Sequence, residues 1–160
     1  MIDTHKLESV LPPVEKSLIV SLSVEAAFNL FTQGFSTWWP MVTHSVGLAE
    51  TISCHVEEYV GGRVYEIQKD GSEVLWGTIL AWEPPHRFIM SWHPGRDENT
   101  AQEVEVRFEN EGEGTRLKLI HRGWETLGDE AQKTREGYVS GWDMVLGNYL
   151  NQMKTVIANP

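Results

Sequence analysis

The segment Gln102–His121, QEVEVRFENEGEGTRLKLIH, decides the fold. In its first half Val104, Val106 and Phe108 alternate with Glu103, Glu105, Arg107 and Glu109, the period of an extended strand with one apolar and one charged face. After the turn residues EGEG the period returns. Leu117, Leu119 and His121 share a face opposite Arg116 and Lys118. Two such runs joined through glycine predict an antiparallel hairpin with a single dry side. That side requires a cover.

Working upstream, more runs of the same kind are separated by turn chemistry. Thr51–Tyr59 leads to Gly61-Gly62, and Arg63–Lys69 to Asp70-Gly71. Glu73–Glu83 precedes Pro84-Pro85, and Arg87–His93 precedes PGRDEN, with Phe88, Met90 and Trp92 in alternation. A first strand is read over Val14–Ser21. Ser23 then stands as a helix N-cap before Val24, Ala27, Phe28 and Phe31 at helical spacing, and Gly34 stops the run.

Downstream lies the cover. Between Asp129 and Ile157, Tyr138, Trp142, Val145, Leu146, Tyr149, Met153 and Val156 recur every three or four residues, the mark of a long amphipathic helix. Gly137, Gly141 and Gly147 each cost that helix roughly 1 kcal/mol against Ala, which implies close approach to the sheet or a bend beside a cavity. The expected order is strand, short helix, six strands and long helix: an α+β fold with a curved antiparallel sheet of about seven strands. Met1–Leu11, ended by Pro12-Pro13, reads as an arm or short helix outside the core, so residues 1–13 form an arm and residues 14–160 one domain.

Composition bounds the function. The chain has 160 residues and a formal net charge of −10, which repels phosphate backbones and anionic lipid, so neither nucleic acid nor a membrane surface is an expected partner. No signal core or bilayer-length apolar run is present, which makes the cytoplasm the expected location. Cys54 stands alone, a small buried hydrophobe by expectation. The six histidines form no metal-ligand spacing, no glycine run precedes a helix as in nucleotide sites, and no nucleophile elbow exists. No metal or other cofactor is expected.

What remains is aromatic. Seven Trp is a surplus for this length. Phe28, Phe31, Phe35, Trp38, Trp39, Trp76, Trp92, Trp124 and Trp142 exceed what a minimal core needs, and ligand pockets are lined mainly by such side chains. Trp38 and Trp39, in the irregular run FSTWWPMVTHSVG, suit a lid or entrance. His121 ends the dry face of its strand, where it could contact a ligand or act as a base. Tyr138, on the apolar face of the long helix, adds a hydroxyl. Arg63, Tyr65 and Glu66 are the polar candidates of one short strand, with Glu66 in the opposite phase. A solvated strand is the plainer expectation there, since an inward Glu66 would be a costly buried acid without partners.

The segments GGRVYEI, WGTILAWEPPHRFIMSW, GTRLKLIHRGW and GWDMVLGNYLNQM, over about Val14–Ile157, resemble the heat-shock-protein-90 ATPase activator homologue family. That family belongs to the START-related, birch-pollen-allergen-like (SRPBCC) superfamily. The resemblance implies a helix-grip fold with a cavity under the long helix, in which members bind hydrophobic molecules or act as cyclases or hydrolases. The eukaryotic namesake stimulates a chaperone ATPase with the help of an additional N-terminal domain. Only thirteen residues precede the first strand here, so a chaperone role is not expected to transfer.

Three functions are therefore open. One is a binding protein for a small hydrophobic or aromatic molecule, which is the leading expectation. Another is a cyclase- or hydrolase-like enzyme using cavity acid–base groups. The third is a protein-interaction module, chaperone-associated or homodimeric, marked by an exposed aromatic patch.

Overall fold

The computed structural model describes residues 11–158, so the expected arm over Met1–Leu11 lies almost wholly outside the described residues. Strand β1 spans Val14–Val20 and is followed by helix α1, Val24–Thr32, whose N-cap Ser23 accepts from the Ala26 amide. A single turn, α2, covers Phe35–Trp38. The strands continue as β2 (Thr51–Val56), β3 (Arg63–Gln68), β4 (Glu73–Glu83), β5 (Arg87–Trp92), β6 (Gln102–Glu111) and β7 (Gly114–Arg122). A 3-10 segment, Trp124–Glu130, leads into helix α3, Ala131–Ala158.

All pairings are antiparallel, in the order β1-β7-β6-β5-β4-β3-β2. The register puts Phe88 opposite Val106 and Val106 opposite Leu119, so the apolar residues read from the alternation meet on one face. Gly112, in the turn between β6 and β7, has φ of 60°, the left-handed backbone that a side chain disfavours. At Gly77, a Cβ would come within 1.7 Å of the Ser91 carbonyl oxygen, so β4 and β5 approach there only because no side chain intervenes.

The sheet grips α3, which buries Trp142, Val145, Leu146, Tyr149 and Met153 against it. The C-terminal part of that helix sits on a filled core. The Tyr149 hydroxyl donates to the Ala27 carbonyl at 2.8 Å, and its ring lies 5.5 Å from Phe31 and 5.2 Å from Trp38. Phe28, Phe88 and Phe108 close the same cluster with edge-on contacts.

The outer face departs from the expected wet surface at Glu105. This residue is only 3% exposed, and Arg87, Arg107 and Arg122 all donate to its carboxylate. Burial pushes its pKa up, but those three guanidinium groups outweigh burial and hold it at about 2. Cys54 is buried as expected, and burial pushes its thiol up to about 12, leaving it unreactive at neutral pH.

Candidate functional site

A cavity of about 540 Å³ lies between the sheet and the N-terminal part of α3. The segment after α2 supplies Trp39, His44, Ser45 and Val46 to its wall. Strands β4 and β5 supply Trp76 and Trp92, and the connection after β5 supplies Pro94, Gly95 and Arg96. Along α3, Thr134, Gly137, Tyr138, Gly141, Trp142 and Val145 face it at helical spacing.

The indoles enclose this space with their polar edges engaged elsewhere. Trp39 Nε1 donates to the His44 carbonyl at 2.7 Å, and Trp76 Nε1 to Glu66 Oε1 at 2.7 Å. Trp92 Nε1 donates to the Tyr138 hydroxyl at 2.9 Å, and Trp142 Nε1 to His121 Nδ1 at 3.0 Å. With every one of these donors satisfied by the protein, the indoles offer the cavity aromatic surface and no N–H. Their rings contact one another, Trp39 to Trp76 at 5.2 Å and Trp92 to Trp142 at 5.5 Å between centroids.

The polar groups are few. Among the described residues, the Tyr138 hydroxyl makes one hydrogen bond, as acceptor from Trp92, so its own hydrogen is free to donate. Burial raises the Tyr138 pKa, although the Trp92 donor opposes it, so the phenol stays protonated. His44 contacts the Thr43 hydroxyl through Nδ1 at 2.7 Å, leaving Nε2 for the cavity side near Gly141. Arg96 stands exposed at the margin and pairs with Glu130 at 3.3 Å.

Glu66 overturns the expectation of a solvated strand. It is fully buried, and five donors converge on it. Oε1 accepts from the Val46 amide at 2.7 Å and from Trp76, while Oε2 accepts from the Gly47 amide at 2.8 Å, Thr51 Oγ1 at 2.6 Å and Gln68 Nε2 at 3.1 Å. Burial pushes its carboxyl up, but hydrogen bonds led by Thr51 and Trp76 outweigh burial and hold it below the ordinary value. Glu66 does not line the cavity. It ties the wall segment 44–47 to β3 and fixes the Trp76 ring.

The remaining expected site residues fall into two groups. Arg63 and Tyr65 stand on the outer face, in the opposite phase to buried Val64 and Glu66. Arg63 pairs with Glu57 and Glu73, and its guanidinium lies 4.2 Å over the Tyr65 ring. Phe28, Phe31, Phe35 and Trp38 are core, and Trp38 donates to the Leu30 carbonyl rather than standing at an entrance.

His121 and Trp124 do not line the cavity but pack against the wall residues Tyr138 and, for His121, Trp142. The His121 and Trp124 rings are 4.1 Å apart, and His121 is wholly buried. Trp142 can only donate, so His121 Nδ1 is the acceptor and its proton sits on Nε2, facing Gln102 Oε1 at 3.2 Å. Burial lowers the His121 pKa to about 3. A base role is thereby closed to it near neutral pH. Thus Trp39, Trp76, Trp92, Tyr138 and Trp142 are brought together around one space. His44, Arg96, Gly137 and Gly141 join them without having been singled out as site residues.

Among the described residues, no group of three or more His, Cys, Asp or Glu side chains is placed to hold a metal ion. No helix among them is long and apolar enough to cross a membrane.

A sheet closed on one long helix, with an aromatic cavity beneath the helix, defines a helix-grip protein. The chain belongs to the family described as Activator of Hsp90 ATPase homolog 1-like protein, whose model matches residues 21–155. No curated protein matches the sequence. Among solved structures, the chain is similar to an anthrahydroquino-gamma-pyrone synthase, Txn09, determined as a complex with SUM. The two are 33% identical, with 89% of this chain and 97% of that chain covered and a TM-score of 0.60. The Aha1 dimer from Colwellia psychrerythraea is similar in fold, at 14% identity, 89% and 96% coverage and a TM-score of 0.66. CalU16 from Micromonospora echinospora is also similar in fold, at 23% identity, 87% and 73% coverage and a TM-score of 0.58.

Proposed function

We propose that this protein binds a flat, largely aromatic small molecule in the cavity under α3. The observation that carries the reading is the set of four indoles, Trp39, Trp76, Trp92 and Trp142, around the cavity with their N–H groups turned to protein partners. Such walls reward stacking and burial, at roughly 25 cal/mol per Å² of apolar area, and leave orientation to the Tyr138 hydroxyl. A ligand oxygen accepting from Tyr138 would be held at one edge while the ring system lies against the indoles. The volume suits a ligand of a few fused rings.

The likeness to a synthase named for an anthrahydroquinone pyrone supports this ligand class and favours a second reading, catalysis on the bound molecule. In that reading protonated Tyr138 polarises a substrate carbonyl and His44 faces the reacting edge. Binding is common to both.

The test is titration with alizarin, a dihydroxyanthraquinone, against lauric acid as an aliphatic contrast. Alizarin is expected to quench tryptophan emission and raise the melting temperature. At a hundredfold excess over its Kd, the gain is about 2.7 kcal/mol, or roughly 5–10 °C. No response to alizarin would remove the proposal, and equal responses to both probes would remove its aromatic preference. Turnover of a hydroxylated aromatic ketone that disappears in Tyr138→Phe even at ligand concentrations that saturate the variant would establish the catalytic reading.

A further inference from the structure

Helix α3 contains Gly137, Gly141 and Gly147 where alanine would serve the helix better. Crowding does not explain them. A Cβ on Gly137 or Gly147 would meet nothing within 4 Å, and one on Gly141 would meet only His44 Nε2, at 3.9 Å. The expected close approach of helix and sheet is therefore absent at these positions.

Two of the three share a different property. Gly137 and Gly141, one turn apart, line the cavity together with the indoles, whereas Gly147 does not line it. The cavity itself, lined also by Tyr138, whose hydroxyl donates to no group among the described residues, is the independent sign of a guest. We infer that Gly137 and Gly141 are specificity-determining residues, whose missing side chains leave the width in which a fused-ring ligand lies along α3 against the tryptophans. The inference rests on the binding reading above and deepens it by naming what sets the ligand's thickness and direction. A ring system stacked on the indoles would press its far face on the bare helix backbone at these positions. Each added methyl group would enter that layer directly, while a slender aliphatic chain could move aside.

The consequence has opposite signs in two measurements, which separates it from a merely structural role. Gly137→Ala, Gly141→Ala and Gly147→Ala are each expected to raise the melting temperature, because alanine favours the helix and no atom is displaced. Alizarin affinity is expected to fall roughly tenfold in Gly137→Ala and in Gly141→Ala, and more in the double variant. In Gly147→Ala it should equal that of the wild type. Lauric acid, in any variant that binds it, should lose less than alizarin. Wild-type binding of alizarin with undiminished affinity in the double variant would overturn this inference alone. Loss of affinity in Gly147→Ala equal to that in Gly141→Ala would do the same, because the effect would then not come from the cavity. Failure of the wild type to bind alizarin would overturn this inference together with the binding proposal.

Discussion

With Nδ1 accepting from Trp142 and the Nε2 proton directed at Gln102, His121 has both ring nitrogens engaged in its neutral form. Protonation would place a second donor against the Trp142 N–H inside an aromatic shell. The sign of the resulting pH effect follows from its pKa of about 3 in the fold against 6.5 for the free side chain. The unfolded chain takes up a proton that the folded one refuses. Stability is therefore complete above 6.5 and declines as pH falls toward 3, by ~1.4 kcal/mol per pH unit. Glu105 adds a second loss in a lower window, as pH falls from 4.5 through about 2. Urea denaturation at about pH 7 and about pH 5 separates the two, and His121→Gln should recover about 2 kcal/mol of the loss. An unchanged difference in that variant would refute the assignment. Tyr138→Phe tests the half-buried phenol of the cavity wall. It should weaken alizarin binding by about tenfold and cost about 1 kcal/mol of stability, because Trp92 N–H loses its acceptor. Calorimetric titration giving unchanged affinity would show that the phenol does not orient the ligand.

The elements differ in how openly they are written in the chain. Strands β5 to β7 and helix α3 are legible because each carries its own period, and β4 because turn residues bound it, so that Glu73–Glu83 is matched at both ends. The wall segment between α2 and β2 has no period. Its shape comes from Glu66, whose partners Val46, Gly47 and Thr51 lie fifteen to twenty positions away in the chain. No local pattern announces such a bond. This is why Glu66 read as solvated and why His44 was not singled out. Glu66→Gln would set an amide NH2 against donors, at a cost of about 1–3 kcal/mol. Faster hydrogen exchange at the Val46 and Gly47 amides than in β6 would identify the wall as the element released. Uniform acceleration throughout would mean that Glu66 supports the whole fold instead.

At the scale of the molecule, α3 rests on two unlike surfaces. Its C-terminal part meets a filled aromatic core at Phe31 and Trp38, and its N-terminal part spans the cavity. Side chains of the same type serve both, so composition predicted an aromatic surplus without dividing it between core and cavity. Only the register of the sheet and the path of the wall segment make that division. The cavity tryptophans carry one more consequence. Trp39, Trp76, Trp92 and Trp142 form a connected set with centroid separations of 5.2–5.9 Å. At such distances their excited states mix, so the far-ultraviolet circular dichroism should contain an exciton couplet superposed on the backbone bands. Excitation absorbed by any one indole migrates to the others, and a single guest of the proposed kind would darken the entire set.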